Sequence, residues 1–201
     1  MRDSYYFDPL QKPKKRKTRC ITFRIDEGVV EELTKESEQK EVSLNVLVNQ
    51  ILKRYSEWDR YENKIGVIPV PKVMLTKLIN KSLAIAKDSG LTNIEEMKKA
   101  LIAEAVEIAY LSLKESVLFM RSDFNLFSVL YILEEYMKVC GLNSEHKFDE
   151  GRRHVFTLQH DMGENWSIFS KELLEKIFVE LAQVKTNITY TNNTVIAEVL
   201  L

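Results

Sequence analysis

The chain has 201 residues, 45% of them hydrophobic and 29% charged, with 29 Lys and Arg against 30 Asp and Glu for a formal charge of −1. These proportions are those of a globular protein with one large domain or two small ones. No apolar run reaches the roughly 20 residues that cross a bilayer, the start MRDSYYFDPL lacks the apolar core of a signal peptide, and two cysteines are too few for a disulfide framework. A reducing, cytoplasmic setting without membrane contact is therefore expected.

Residues 1–16 read as a flexible basic arm interrupted by Pro9 and Pro13. The near-neutral total hides an asymmetry. KPKKRKTRCITFR, residues 12–24, holds seven Lys and Arg and no acid, a local excess suited to a polyanion.

A strand is expected over about 18–25, where Cys20, Thr22 and Arg24 alternate with Ile21, Phe23 and Ile25. No second strand lies nearby in sequence, so its backbone groups require a partner, most simply the same segment of a second copy. Asp26 or its neighbour caps a helix to about Lys40, with Val29, Val30 and Leu33 as its apolar positions and the polar run KESEQKE behind them. Ser43 caps a second helix whose Leu44, Leu47, Val48, Ile51, Leu52 and Tyr55 share one face. That helix extends towards Trp58 and Tyr61. Residues 17–61 form one domain, with too little core to stand alone and a natural remedy in two intertwined copies.

Residues 62–71, ENKIGVIPVP, read as a linker. Residues 72–201 read as a second, α+β domain. A helix runs from about Lys72 to Asp88 and stops at Gly90; Thr92 and Glu95 box the start of a long helix towards Met120. Asp123 caps a third helix that ends at Gly141. A strand over 152–161, an amphipathic helix over 164–182 and a hairpin over 187–201, turning at Asn192-Asn193, complete the chain.

The order CITFRI, VVEEL, VSLNVLVNQIL over residues 17–60 resembles the ribbon–helix–helix family of DNA-binding proteins, which includes the Arc and MetJ repressors. The resemblance implies one strand and two helices, with two chains pairing their strands antiparallel and laying the ribbon in the major groove. It implies base contacts from Cys20, Thr22 and Arg24, of which Arg24 has the chemistry to reach guanine O6 and N7 together. It also implies phosphate contacts from Ser43, Leu44 and Asn45, at the positive end of a helix. Lys12, Lys14, Lys15, Arg16, Lys17 and Arg19 would add attraction that is independent of sequence. Family members often carry Gly just before the Ser-containing turn. Glu41 stands there in this chain and is strained if that position is left-handed.

In residues 72–201, Cys140, His146, His154 and His160 are residue types that bind soft metals, and nickel-responsive repressors join such a domain to a ribbon–helix–helix one. The spacing lacks the paired His-x-His of those repressors, and His154 and His160 would lie about 20 Å apart along a strand. No Gly-rich phosphate loop or nucleophile signature is present, so neither catalysis nor a cofactor is expected. The expected function is a sequence-specific transcriptional regulator that binds double-stranded DNA as a homodimer or tetramer. The second domain would assemble dimers or sense a small-molecule or protein effector. An antitoxin-like interaction module and a metal-responsive regulator are the alternatives.

Overall fold

The computed structural model describes residues 18–65, 70, 72–90, 93–148 and 153–200. Two compact units divide the chain, Met1–Arg60 and Tyr61–Leu201.

The first unit corrects the expected fold. Residues 18–26 run without regular structure and every one is exposed, so the first element among the described residues is a helix and not a strand. The reason lies in the backbone. A strand is held by ladder bonds to a neighbour, and among the described residues none pairs with this segment. What folds is a pair of packed helices, α1 (Glu27–Gln39) and α2 (Leu44–Glu57). The Asp26 carboxylate accepts the amides of Gly28 (3.0 Å) and Val29 (3.4 Å) at the start of α1. The Ser43 hydroxyl accepts the Val46 amide (3.3 Å) at the start of α2.

Between the helices, Val42 N–H donates to the Ser37 carbonyl (3.0 Å) and Glu41 N–H to that of Glu38 (3.1 Å). This pair of bonds is the Schellman closure of α1, and it holds Glu41 left-handed at φ 54°. A side chain in that conformation costs about 1 kcal/mol relative to Gly. Glu41→Gly is therefore expected to stabilise the first unit by about that amount, less a few tenths for the freer unfolded chain. Chemical denaturation of the two proteins measures it; an unchanged or lower midpoint would show that the position carries no strain.

In the second unit, a single turn α3 (Glu62–Ile65) occupies the start of the expected linker. The helices α4 (Lys72–Asp88), α5 (Ile94–Arg121) and α6 (Leu126–Val139) follow. Gly90 and Gly141 are both left-handed, as the ends of α4 and α6 require. Thr92 lies outside the described residues, and Asn93, preceding α5, makes no side-chain cap bond. The cap of α6 is Asn125, not Asp123. Asn125 Oδ1 accepts the Ser128 amide (2.9 Å), and Asp123 accepts the Asn125 amide (2.9 Å).

A strand with no counterpart in the sequence-based expectation, β1 (Asn143–Phe148), precedes β2 (Arg153–Gln159), α7 (Glu164–Lys176), β3 (Thr186–Tyr190) and β4 (Thr194–Leu200). α7 runs on into a π-helical turn, Ile177–Leu181, closed by left-handed Gln183. The four strands form one antiparallel sheet ordered β1-β2-β4-β3, with Phe156 opposite both His146 and Ala197. Burial alternates along β2 and β4, so His154, Phe156 and Leu158 join Val195, Ala197 and Val199 on the covered face. α6 lies against β1, α7 lies against β3 and β4, and α5 packs on both helices. Val117, Ile132, Leu133, Ile177 and Phe178 close the core between them. No single helix among the described residues is long and apolar enough to cross a membrane.

Candidate nucleic-acid interface

Arg19, Cys20, Thr22 and Arg24 are exposed on the stretch that enters α1, and Cys20 is a free thiol. Asp26, the first acid after them, is turned onto the amides of α1. Neither Arg19 nor Arg24 makes an ion pair among the described residues, so both cations are available to an anion. Lys12, Lys14, Lys15, Arg16 and Lys17 lie outside the described residues.

At the start of α2, Ser43 and Asn45 are exposed and Leu44 is half-buried. No acid occupies the first turn, which leaves the positive end of the helix dipole uncompensated there. The Leu44 and Asn45 amides belong to the first turn, where N–H groups have no acceptor within the helix. This is suitable geometry for a phosphate oxygen.

The apolar residues of the unit point to a second requirement. Leu47 is buried and Val48 half-buried, but the same helical face continues into Ile51, Leu52 and Tyr55, which are exposed. Tyr55 is 60% exposed, and Phe23 on the extended segment is 58% exposed. Ile21, Ile25 and Val29 are exposed as well. Two helices cannot enclose this much apolar surface by themselves.

The chain matches no protein-family model and no curated protein.

The histidines of the second unit have structural partners. His154, buried on β2, places Nδ1 2.8 Å from Nε2 of His146 on β1, and the two rings stack. His146 Nδ1 lies 3.3 Å from a carboxylate oxygen of Glu134 on α6. Phe127 and Phe148 pack their rings on His154. The arrangement is a chain of paired groups and not a set converging on a point. His160 and Cys140 lie elsewhere, Cys140 exposed at the end of α6 and His160 just beyond β2. Among the described residues no group of three or more His, Cys, Asp or Glu is placed to hold a metal ion.

His160 Nδ1 accepts the Met162 amide (3.2 Å), which puts the ring proton on Nε2, 3.0 Å from the Ser167 hydroxyl. The imidazole therefore donates to Ser167 and does not act as its base. Asp161 turns away from the pair to Lys72 (3.2 Å). Burial lowers the His160 pKa from its ordinary value, against an opposing pull from the Asp161 carboxylate.

A neutral buried imidazole has a consequence for stability. The unfolded chain takes up a proton as pH falls through about 6.5, while the folded chain resists it to lower pH. The contribution is present above about pH 6.5 and is lost as the pH drops towards the lower folded value. His160→Asn keeps an acceptor for the Met162 amide and removes the titration. Thermal melting between pH 7.5 and 5.5 is expected to show a smaller drop in Tm for the variant, and equal drops would contradict the burial argument.

Sequence reasoning missed Glu134 and Ser167, the partners of His146 and His160. Glu134 is one charged residue among several on α6, and only the pairing of β1 with β2 gives it meaning.

Proposed function

We propose that the chain is a homodimeric, sequence-specific DNA-binding regulator of transcription acting in the cytoplasm. The supporting observation is the exposed apolar side chains of the first unit, Phe23 on the segment that enters α1 and Ile51, Leu52 and Tyr55 on α2, together with the exposed cations Arg19 and Arg24. Burying a large side chain in full contributes about 1.5–3 kcal/mol, and covering the exposed half of each of these favours association with a second copy against the entropy cost of bringing two chains together. The resemblance to ribbon–helix–helix proteins supports the association of two copies.

The segments of the two copies enter the major groove with Arg24 and Thr22 outward. Arg24 gives bidentate bonds to guanine, Thr22 gives a hydroxyl bond or a methyl contact to thymine, and Cys20 adds a weak donor. The α2 amides and the basic arm hold phosphates, which sets register and affinity but not sequence. The second unit, Tyr61–Leu201, assembles dimers or responds to an effector.

The arm provides a direct test. Deleting residues 12–17 removes five Lys and Arg. The log–log salt slope of DNA binding is expected to flatten by about 0.9 for each phosphate that the arm neutralises in the full chain, with sequence preference retained. Fluorescence anisotropy over a range of salt concentrations measures it. An unchanged slope would show that the arm does not touch DNA.

A further inference from the structure

The helix α5 is apolar on two opposite faces. One face, with Ile102, Val106, Leu113 and Val117, is buried within the second unit. On the other, Leu101, Ile108, Leu111 and Leu118 recur at intervals of seven, three and seven and are all exposed, Ile108 to 62%. Such a rhythm is that of a helix seam meeting another helix.

A second uncovered stripe lies on α4. Leu78 and Ile85, one above the other on the helix, are each 54% exposed, while Ala86 on the inner side is buried. The two stripes differ in charge. Lys77 and Lys81 border that of α4, whereas Glu104 and Glu115 lie within that of α5. Among the described residues none of these four charges has an ion-pair partner. Glu107, by contrast, is taken up inside the unit by Lys176.

We propose that the second unit carries a self-association surface in which α4 of one copy packs on α5 of another, and reciprocally. The occupant is a second copy of this chain because the two stripes complement each other and neither complements itself. Packing α5 on α5 would set Glu104 against Glu115 of the neighbour, since Leu101 aligns with Leu118 and Ile108 with Leu111 in the antiparallel register that joins the leucines. Packing α4 on α4 would bring lysines together. Packing α4 on α5 buries both stripes and sets lysines near glutamates, and a two-fold axis repeats the contact.

The proposal rests on the reading of Tyr61–Leu201 as the assembling unit. With the first unit already dimeric, the new contact joins dimers into tetramers able to occupy neighbouring half-sites.

Sedimentation velocity on the full chain at low salt tests it. The unaltered protein is expected as a tetramer. K77E/K81E and E104K/E115K are each expected as dimers, because each sets like charges across the contact. An equimolar mixture of the two variants is expected to regain the tetramer, since every α4–α5 contact between them is again opposite in charge. The substituted side chains lie on α4 and α5, outside the first unit, so each variant keeps its DNA binding as a dimer. Equal masses for the unaltered protein and both variants would overturn the surface. So would variants that dissociate singly and fail to recombine. Loss of DNA preference with the tetramer intact would instead count against the DNA-binding reading and leave the surface standing.

Discussion

Under the proposed DNA-binding function, replacing Arg24 by Ala is expected to erase preference for one DNA sequence while leaving general affinity for duplex DNA largely in place. Arg24 is exposed, without an ion-pair partner among the described residues, and on a segment whose next acid is engaged in capping α1. Its guanidinium is thus not required to hold the fold together. A bidentate arginine–guanine contact discriminates by about 1–3 kcal/mol, and a dimer makes it twice, so preference is expected to fall by about 2–6 kcal/mol. Non-specific binding depends on phosphate contacts, and the remaining cations preserve it. Competition between a preferred duplex and bulk DNA measures the ratio. A variant that keeps its preference would remove the segment 18–25 from base recognition.

The second large effect is expected from Phe23→Glu. Phe23 is exposed in the single chain, so the substitution leaves the monomer fold intact. In the dimer it replaces a buried aromatic side chain by a carboxylate in both copies. Phe23 is 58% exposed, so the burial forfeited is about 1–2 kcal/mol per copy, or roughly thirty- to a thousandfold in the dimer dissociation constant. Burial of the unpaired charge adds to this. The variant is expected to stay folded and to lose both the contact between first units and sequence-specific DNA binding, with remaining association carried by the second unit, and sedimentation, circular dichroism and anisotropy together read these properties. A variant that remains associated through the first unit would show that two copies do not meet on this face.

The helices of the chain were legible where local chemistry decides them. Gly90 and Gly141 mark helix ends, Ser43 and Asp26 mark starts, and the rhythm of Leu44, Leu47 and Val48 marks the packed part of α2. The structure departs from expectation where the deciding partner is distant. The alternation of Cys20 to Ile25 is a pattern suited to a strand, yet alternation does not supply hydrogen-bond partners, and the single chain leaves the segment irregular. In β1 the reverse holds. NSEHKF has almost no apolar signal, but β2 offers it a ladder and it becomes an edge strand. The cap of α6 is Asn125 because Asp123 is itself engaged with the Asn125 amide.

For the candidate site the sequence offers residue types but not geometry. Arg24, Thr22 and Cys20 are exposed, as a contact segment requires, whereas the grouping of three histidines in sequence separates in space into a His146–His154 pair and a His160–Ser167 pair. Strand register decides that division, and register depends on β1, which the sequence does not announce. Glu41 illustrates the opposite case. The resemblance marks its position as one that family members often fill with Gly, and the closure of α1 does hold it left-handed.

The central claim is that two copies of this chain read DNA together, and selection of bound duplexes from a random pool tests it most directly. The account predicts an enriched sequence with two-fold symmetry, with a guanine in each half-site that loses its enrichment when Arg24→Ala is used as bait. Enrichment of no sequence, or of one without two-fold symmetry, would contradict it.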